Sequence, residues 1–112
     1  MVSFQRDYIL RAIEAFAKAV AAIVALRKEG QVETARHELD RAARGLIGAD
    51  LSLIDAVGLE AVLAQLDGKE KAEQLAVLLA ERGEVERASG NESSAARWAG
   101  RAATLRSRVA AG

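Results

Sequence analysis

The sequence predicts an all-α fold, built as one domain of about six helices. Its 112 residues fit a single domain rather than two. The chain has no Pro and is rich in Ala, Leu, Arg and Glu, which are good helix formers. Its apolar residues recur every three or four positions, and no segment alternates in polarity as a half-buried strand would.

The first helix is predicted from Phe4 to Glu29, with Ser3 as its N-cap and Gly30 as its end. It carries two apolar stripes. The first stripe holds Ile9, Ile13, Phe16, Val20, Ile23 and Val24, and the second holds Phe4, Tyr8, Ala12, Ala15, Ala19, Ala22 and Leu26. Such a wide apolar arc needs more cover than one neighbouring helix provides.

Five further elements follow at helical spacing. The second helix is predicted from Val32 to Gly45, a short helical turn over Leu51–Val57 and a short helix over Leu59–Leu66. Asp67, with Glu70 three residues later, has the pattern of a capping box that opens a helix ending near Ala88. The last helix is predicted from Glu92 to Val109. The predicted inward side chains of these helices are Val32, Ala35, Leu39, Ala42, Leu46, Leu75, Leu78, Leu79, Val85, Ala95, Trp98, Ala102, Leu105 and Val109.

An internal repeat organises the chain. Gly30, Ala35, Leu39 and Ala42 align with Gly90, Ala95, Ala99 and Ala102 at a constant offset. We therefore predict two antiparallel helical hairpins, over residues 4–46 and 68–110, with a short helical insertion over 47–67.

The spacing of these small residues resembles the second half of a tetratricopeptide repeat, and Gly83 falls where the first helix of that repeat has a small residue. The chain departs from the pattern in lacking the closing Pro and in the length of its offset. The whole chain also resembles a group of small uncharacterised bacterial helical proteins with such repeats, most closely over residues 4–11. The resemblance implies the fold and no activity.

Composition narrows the functional classes. Sixteen basic and sixteen acidic side chains cancel, which argues against a globally basic nucleic-acid binder. The absence of Cys excludes a disulfide framework, a zinc–thiolate site and a cysteine nucleophile. Glu14 and Lys18 interrupt the apolar run of the first helix, so we expect no membrane span and a cytoplasmic protein.

No constellation of side chains points to catalysis. The single His, His37, lies four residues from Glu33 and from Arg41, as in a surface charge ladder. The acidic residues Glu81, Glu84, Glu86 and Glu92 alternate with Arg, which is typical of a solvated helix end. We therefore expect no enzyme, no cofactor and no metal.

Two candidate surfaces remain. The first is an interface for a protein partner or for a second copy in a homodimer, formed by Phe4, Tyr8, Ala12, Ala15 and Ala19. The second is an anion contact on the last helix, formed by Arg97, Arg101 and Arg108, although such Arg side chains also suit a helix C-terminus and the edge of an apolar face. The sequence thus predicts a non-catalytic protein-interaction or scaffold module. The alternative is a binder of an anionic partner, either nucleic acid or an acidic peptide, through the Arg-rich last helix, with nucleic acid the less favoured of the two.

Overall fold

The computed structural model describes residues 4–112, with side chains from Arg6 onward. It contains six helices, and no strand occurs within that range, which confirms the all-α prediction. The helices are α1 (Phe4–Lys28), α2 (Val32–Ile47), α3 (Ser52–Val57), α4 (Leu59–Leu63), α5 (Lys69–Ala88) and α6 (Glu92–Ala111). The predicted Ser3 cap lies outside the described residues.

The turns of the two hairpins have the same conformation. Gly30 and Gly90 have φ of 84° and 85°, in the left-handed region that favours Gly. The N–H after each Gly donates to a carbonyl five residues back, from Gln31 to Leu26 and from Asn91 to Glu86, at 2.9 Å in both cases. Each Gly N–H also donates to the carbonyl three residues back. This pair of hydrogen bonds is a Schellman motif, and its occurrence at both turns matches the offset of the sequence repeat.

Several predicted helix boundaries are wrong by a few residues. Helix α2 continues through Gly45 to Ile47 and ends at Gly48, whose N–H bonds to the Arg44 carbonyl. Helix α4 ends at Leu63. Gly68 is the N-cap of α5 with no side-chain cap hydrogen bond, so Asp67 does not form the predicted capping box.

The core lies where the second hairpin meets α2 and the insertion. Trp98, Leu39, Leu75, Leu78, Leu79 and Leu105 are fully buried or nearly so, as predicted. The insertion adds Leu51, Ile54 and Val62 to the same cluster. Among the α1 side chains from Arg6 onward, only Ile23 is fully buried. Most of the hydrophobic stabilisation therefore comes from α2, α5 and α6.

A buried polar layer joins α2 to the end of α5. The carboxylate of Glu86, 4% exposed, accepts hydrogen bonds from Arg36 (2.8 Å), Arg82 (2.9 Å) and Asn91 (3.0 Å). Burial raises the pKa of Glu86, but the bonds from Arg82 and Asn91 and the charge of Arg36 together outweigh it and hold the pKa below its usual value.

A second buried ion pair joins α1 to α5, where Glu81 is 8% exposed and contacts Arg27. The prediction of a solvated acidic helix end is therefore wrong for Glu81 and Glu86. It holds for Glu84 and Glu92, which are exposed.

Candidate interaction groove

The first half of α1 has few neighbours. Helix α1 is nine residues longer than α2, which runs back along it from the turn at Gly30. Large apolar side chains therefore stay accessible near its start: Tyr8 is 71% exposed, Leu10 51%, Ile9 47% and Ile13 44%. Elsewhere among the described side chains, the only large apolar residues with a similar exposed fraction are Val57 and Val77. Such a concentration on one and a half helical turns marks an exposed apolar patch.

A groove of about 670 Å³ runs along this part of α1. One wall is α1, a second is the end of α2 and the third is the start of α5. The α1 wall consists of Tyr8, Ile9, Ala12, Ile13, Ala15, Phe16 and Ala19. The other walls consist of Ala42, Gly45 and Leu46 on α2, and Asp67, Glu70, Lys71 and Gln74 at the start of α5.

The groove has small residues where another helix would need to approach. Ala12, Ala15 and Ala42 present only methyl groups, and Gly45 presents backbone. A Cβ built on Gly45 meets nothing within 4 Å, so the space above it is open. Packed helix axes lie about 8–10 Å apart, and small side chains favour the lower end of that range.

The structure brings most of the predicted interface together. Tyr8, Ala12, Ala15 and Ala19 all line the groove, and Tyr8, Ala12 and Ala15 are exposed. The side chain of Phe4 lies outside the described residues. The α2 wall with Gly45 and the charged wall at the start of α5 are not indicated by the sequence pattern. The pattern predicts a helix end at Gly45, whereas Gly45 lies inside α2.

The three predicted anion contacts lie on one side of α6, and each faces a carboxylate of the insertion. Arg101 contacts Asp55 at 2.8 Å and Arg97 contacts the same oxygen at 3.5 Å. Arg108 contacts Glu60 at 2.7 Å. The two carboxylates thus neutralise part of the charge of the three arginines within the chain. Whether they also receive an anionic partner stays a prediction.

Other candidate chemistry is sparse in the described part of the chain. His37 lies exposed on α2. Between Arg6 and Gly112 no three His, Asp or Glu side chains are grouped so that they could hold a metal ion. Of the described helices, none combines the length and apolar character that a bilayer crossing requires.

Comparisons with known proteins return no relative. No protein family, no curated protein and no solved structure matches this chain. The resemblance to tetratricopeptide-like bacterial proteins therefore stays a prediction.

Proposed function

We propose that this chain is a non-catalytic protein-interaction module that docks an apolar helix of a partner protein in the groove along α1. The observation that carries the proposal is the exposure of Tyr8, Ile9 and Ile13 along the α1 wall of the groove. The Ala and Gly residues of the groove lining leave room for a partner to approach closely. Exposed apolar patches with polar rims are typical of protein–protein contact sites. The expected compartment is the cytoplasm.

A helix is the occupant that this shape favours. The three walls are themselves helical, so a further helix can continue the packing of ridges into grooves. Helix-in-groove recognition places apolar anchors three and four residues apart, and Tyr8, Ala12, Ala15 and Ala19 have that spacing on the receiving side. The α5 wall supplies Asp67, Glu70 and Lys71 as a charged rim that would orient the incoming helix.

The alternative of an anionic partner on α6 has weaker support. A polyanion would have to compete with Asp55 and Glu60 for Arg97, Arg101 and Arg108. Each of those arginines would exchange its carboxylate partner for another anion, so the net gain in binding free energy would be small.

Site-specific photocrosslinking in the native cell tests the groove. A benzophenone amino acid at Lys71, on the charged rim of the groove, should form adducts with a protein partner. Gly45→Leu should abolish the adducts, because its side chain enters open space and fills the groove. Gly100→Leu is the matched control, since Gly100 is also inside a helix with nothing near its Cβ position, and it should leave the adducts intact.

Three results would overturn the proposal. They are a lack of protein adducts at Lys71, adducts that persist in the Gly45→Leu variant, and adducts that contain nucleic acid alone. An adduct of twice the chain's own mass would likewise overturn the proposal if Gly45→Leu abolishes it, because a second copy would then occupy the groove in place of another protein.

A further inference from the structure

The outer face of α1, next to the groove, carries its own apolar strip. Leu10 and Ala17 are exposed and do not line the groove, and Ile13 lies at the edge between the two surfaces. Their spacing of three and four residues places them on one side of the helix. This strip is too short to be the core of a long coiled coil, but it is sufficient for one helix to cross another.

Four charged residues border the strip along one edge. Asp7, Arg11, Glu14 and Lys18 alternate in sign at spacings of four, three and four. When the helix is read backwards from Lys18 to Asp7, charged residues recur at the same spacings of four, three and four, but with every sign reversed. A second copy of α1 that runs antiparallel, with the midpoint between Ala12 and Ile13, therefore meets each charge with its opposite. Asp7 faces Lys18 of the second copy and Arg11 faces its Glu14, and both pairs occur twice.

The structure leaves these four charges without intramolecular partners. Among residues 6–112, none of them is within ion-pair distance of an opposite charge. Pairs three or four residues apart do form elsewhere, as between Arg87 and Glu84 at 2.8 Å and between Arg82 and Glu86 at 2.9 Å. The charges on α1 are thus available to a second molecule.

We propose that two copies of the chain associate through antiparallel α1 helices, with Leu10 packed between Ile13 and Ala17 of the second copy and the four charges setting the register. The antiparallel direction follows from the charges, because in a parallel two-fold pair the charged edges of the two copies would lie on opposite flanks of the interface and could not meet. The inference does not depend on the proposed function, since Leu10, Ala17 and the four charged residues lie outside the groove and only Ile13, at the edge, belongs to both surfaces.

The association should be weak and reversible. Residues 4–21 overlap in this arrangement, a contact of only ~27 Å along the helix axis. An interface of this length buries an area near or below about 1,200 Å², the lower limit for stable complexes. We expect a dissociation constant on the order of 10 µM.

Charge reversal tests the register directly. Sedimentation equilibrium should show the wild type as a reversible dimer. Arg11→Glu and Glu14→Arg should each weaken the dimer by about tenfold or more, because two attractive pairs become repulsive. An equimolar mixture of the two variants should restore it, since both central pairs of the mixed dimer again join opposite charges, one of them with its signs exchanged. Arg106→Glu, on α6, is the control and should behave as the wild type.

Circular dichroism separates association from folding. Arg11 and Glu14 are exposed, so both variants should keep the helical content of the wild type. A wild type that is monomeric at about 100 µM, well above the expected dissociation constant, would overturn the proposal. So would single variants that dimerise as well as the wild type, or a mixture that fails to dimerise while each variant remains folded.

Discussion

Gly83 allows the two helices of the second hairpin to approach closely. A Cβ built on Gly83 would lie 3.3 Å from the Ala95 carbonyl oxygen and 3.3 Å from the Ala99 nitrogen. Both neighbours are backbone atoms of α6, so they cannot move aside as a flexible side chain would. The small residue that the repeat pattern indicated at this position therefore has a direct steric cause.

Two Gly→Ala substitutions should change stability in opposite directions. Gly83→Ala should destabilise the protein by about 1–3 kcal/mol, because α5 and α6 must separate to admit the methyl group. Gly100→Ala, also inside a helix but facing open space, should stabilise it by about 0.5–1 kcal/mol through helix propensity. Urea unfolding measures both. Equal effects of the two substitutions would contradict the close approach.

Trp98 is the largest fully buried side chain, and three arginines lie over its ring, of which Arg97 is the most distant at 5.8 Å from the centroid. The guanidinium carbons of Arg82 and Arg101 lie 4.8 and 4.5 Å from the ring centroid. Trp98→Ala should cost about 3–5 kcal/mol. Trp98→Phe should cost much less, because the indole N–H has no hydrogen-bond partner to lose within the described residues. An unchanged melting temperature in Trp98→Ala would contradict this packing.

At the scale of elements, the sequence predicts the helices and their inward faces better than their charged contacts. Leu75, Leu78, Leu79 and Val85 are all fully buried as their spacing indicates. Glu86 lies on the same helix, but its burial depends on Arg36, fifty residues away in the chain. No local pattern contains such a pairing, so an interleaved run of Glu and Arg looks solvated in sequence.

The polar layer between α2 and α5 should make stability depend on pH. Because the pKa of Glu86 is lowered on folding, its ionised form stabilises the fold above the unfolded value of about 4.3, and this contribution is lost as pH falls through the folded value. Glu86→Gln should lower the unfolding free energy at pH 7 by about 1–3 kcal/mol. It should also reduce the loss of stability between pH 5 and pH 3.

Urea unfolding at several pH values checks this expectation. Glu84→Gln serves as the control, because Glu84 is exposed and its carboxylate pairs only with Arg87. It should follow the wild-type pH dependence. If Glu86→Gln lost stability on acidification as strongly as the wild type does, the stabilising role of the Glu86 carboxylate in the polar layer would be contradicted.

The α6 arginines show, at the protein surface, that a local sequence pattern does not reveal charge partners that are distant in the chain. Their alignment is visible in the sequence, but the carboxylates of Asp55 and Glu60 come from α3 and α4. Each of these helices is only five or six residues long and has no strong periodic pattern. Tertiary packing decides where such short helices dock, and the spacing of apolar residues within each helix does not encode that packing.

For the whole molecule, the sequence indicates that α1 is too apolar for one neighbour, and the structure shows which part stays uncovered. The second half of α1 packs on α2 and α5 through Ile23, Val20 and Leu26. The first half extends past α2 and leaves Tyr8 and Ile9 accessible. Periodicity gives the width of an apolar face but not the length of the helices that cover it. The groove could therefore be predicted only as a stripe.

The unfolding free energy of Ala15→Glu tests the central claim, that the first half of α1 is an open surface and not part of the core. Ala15 lines the groove and is exposed, so we predict a change within about 0.5 kcal/mol. Ala35→Glu, at a fully buried position of α2, is the matched control and should cost more than about 4 kcal/mol or prevent folding. An Ala15→Glu protein destabilised as severely as Ala35→Glu would contradict the account, because the stripe would then be packed inside the monomer.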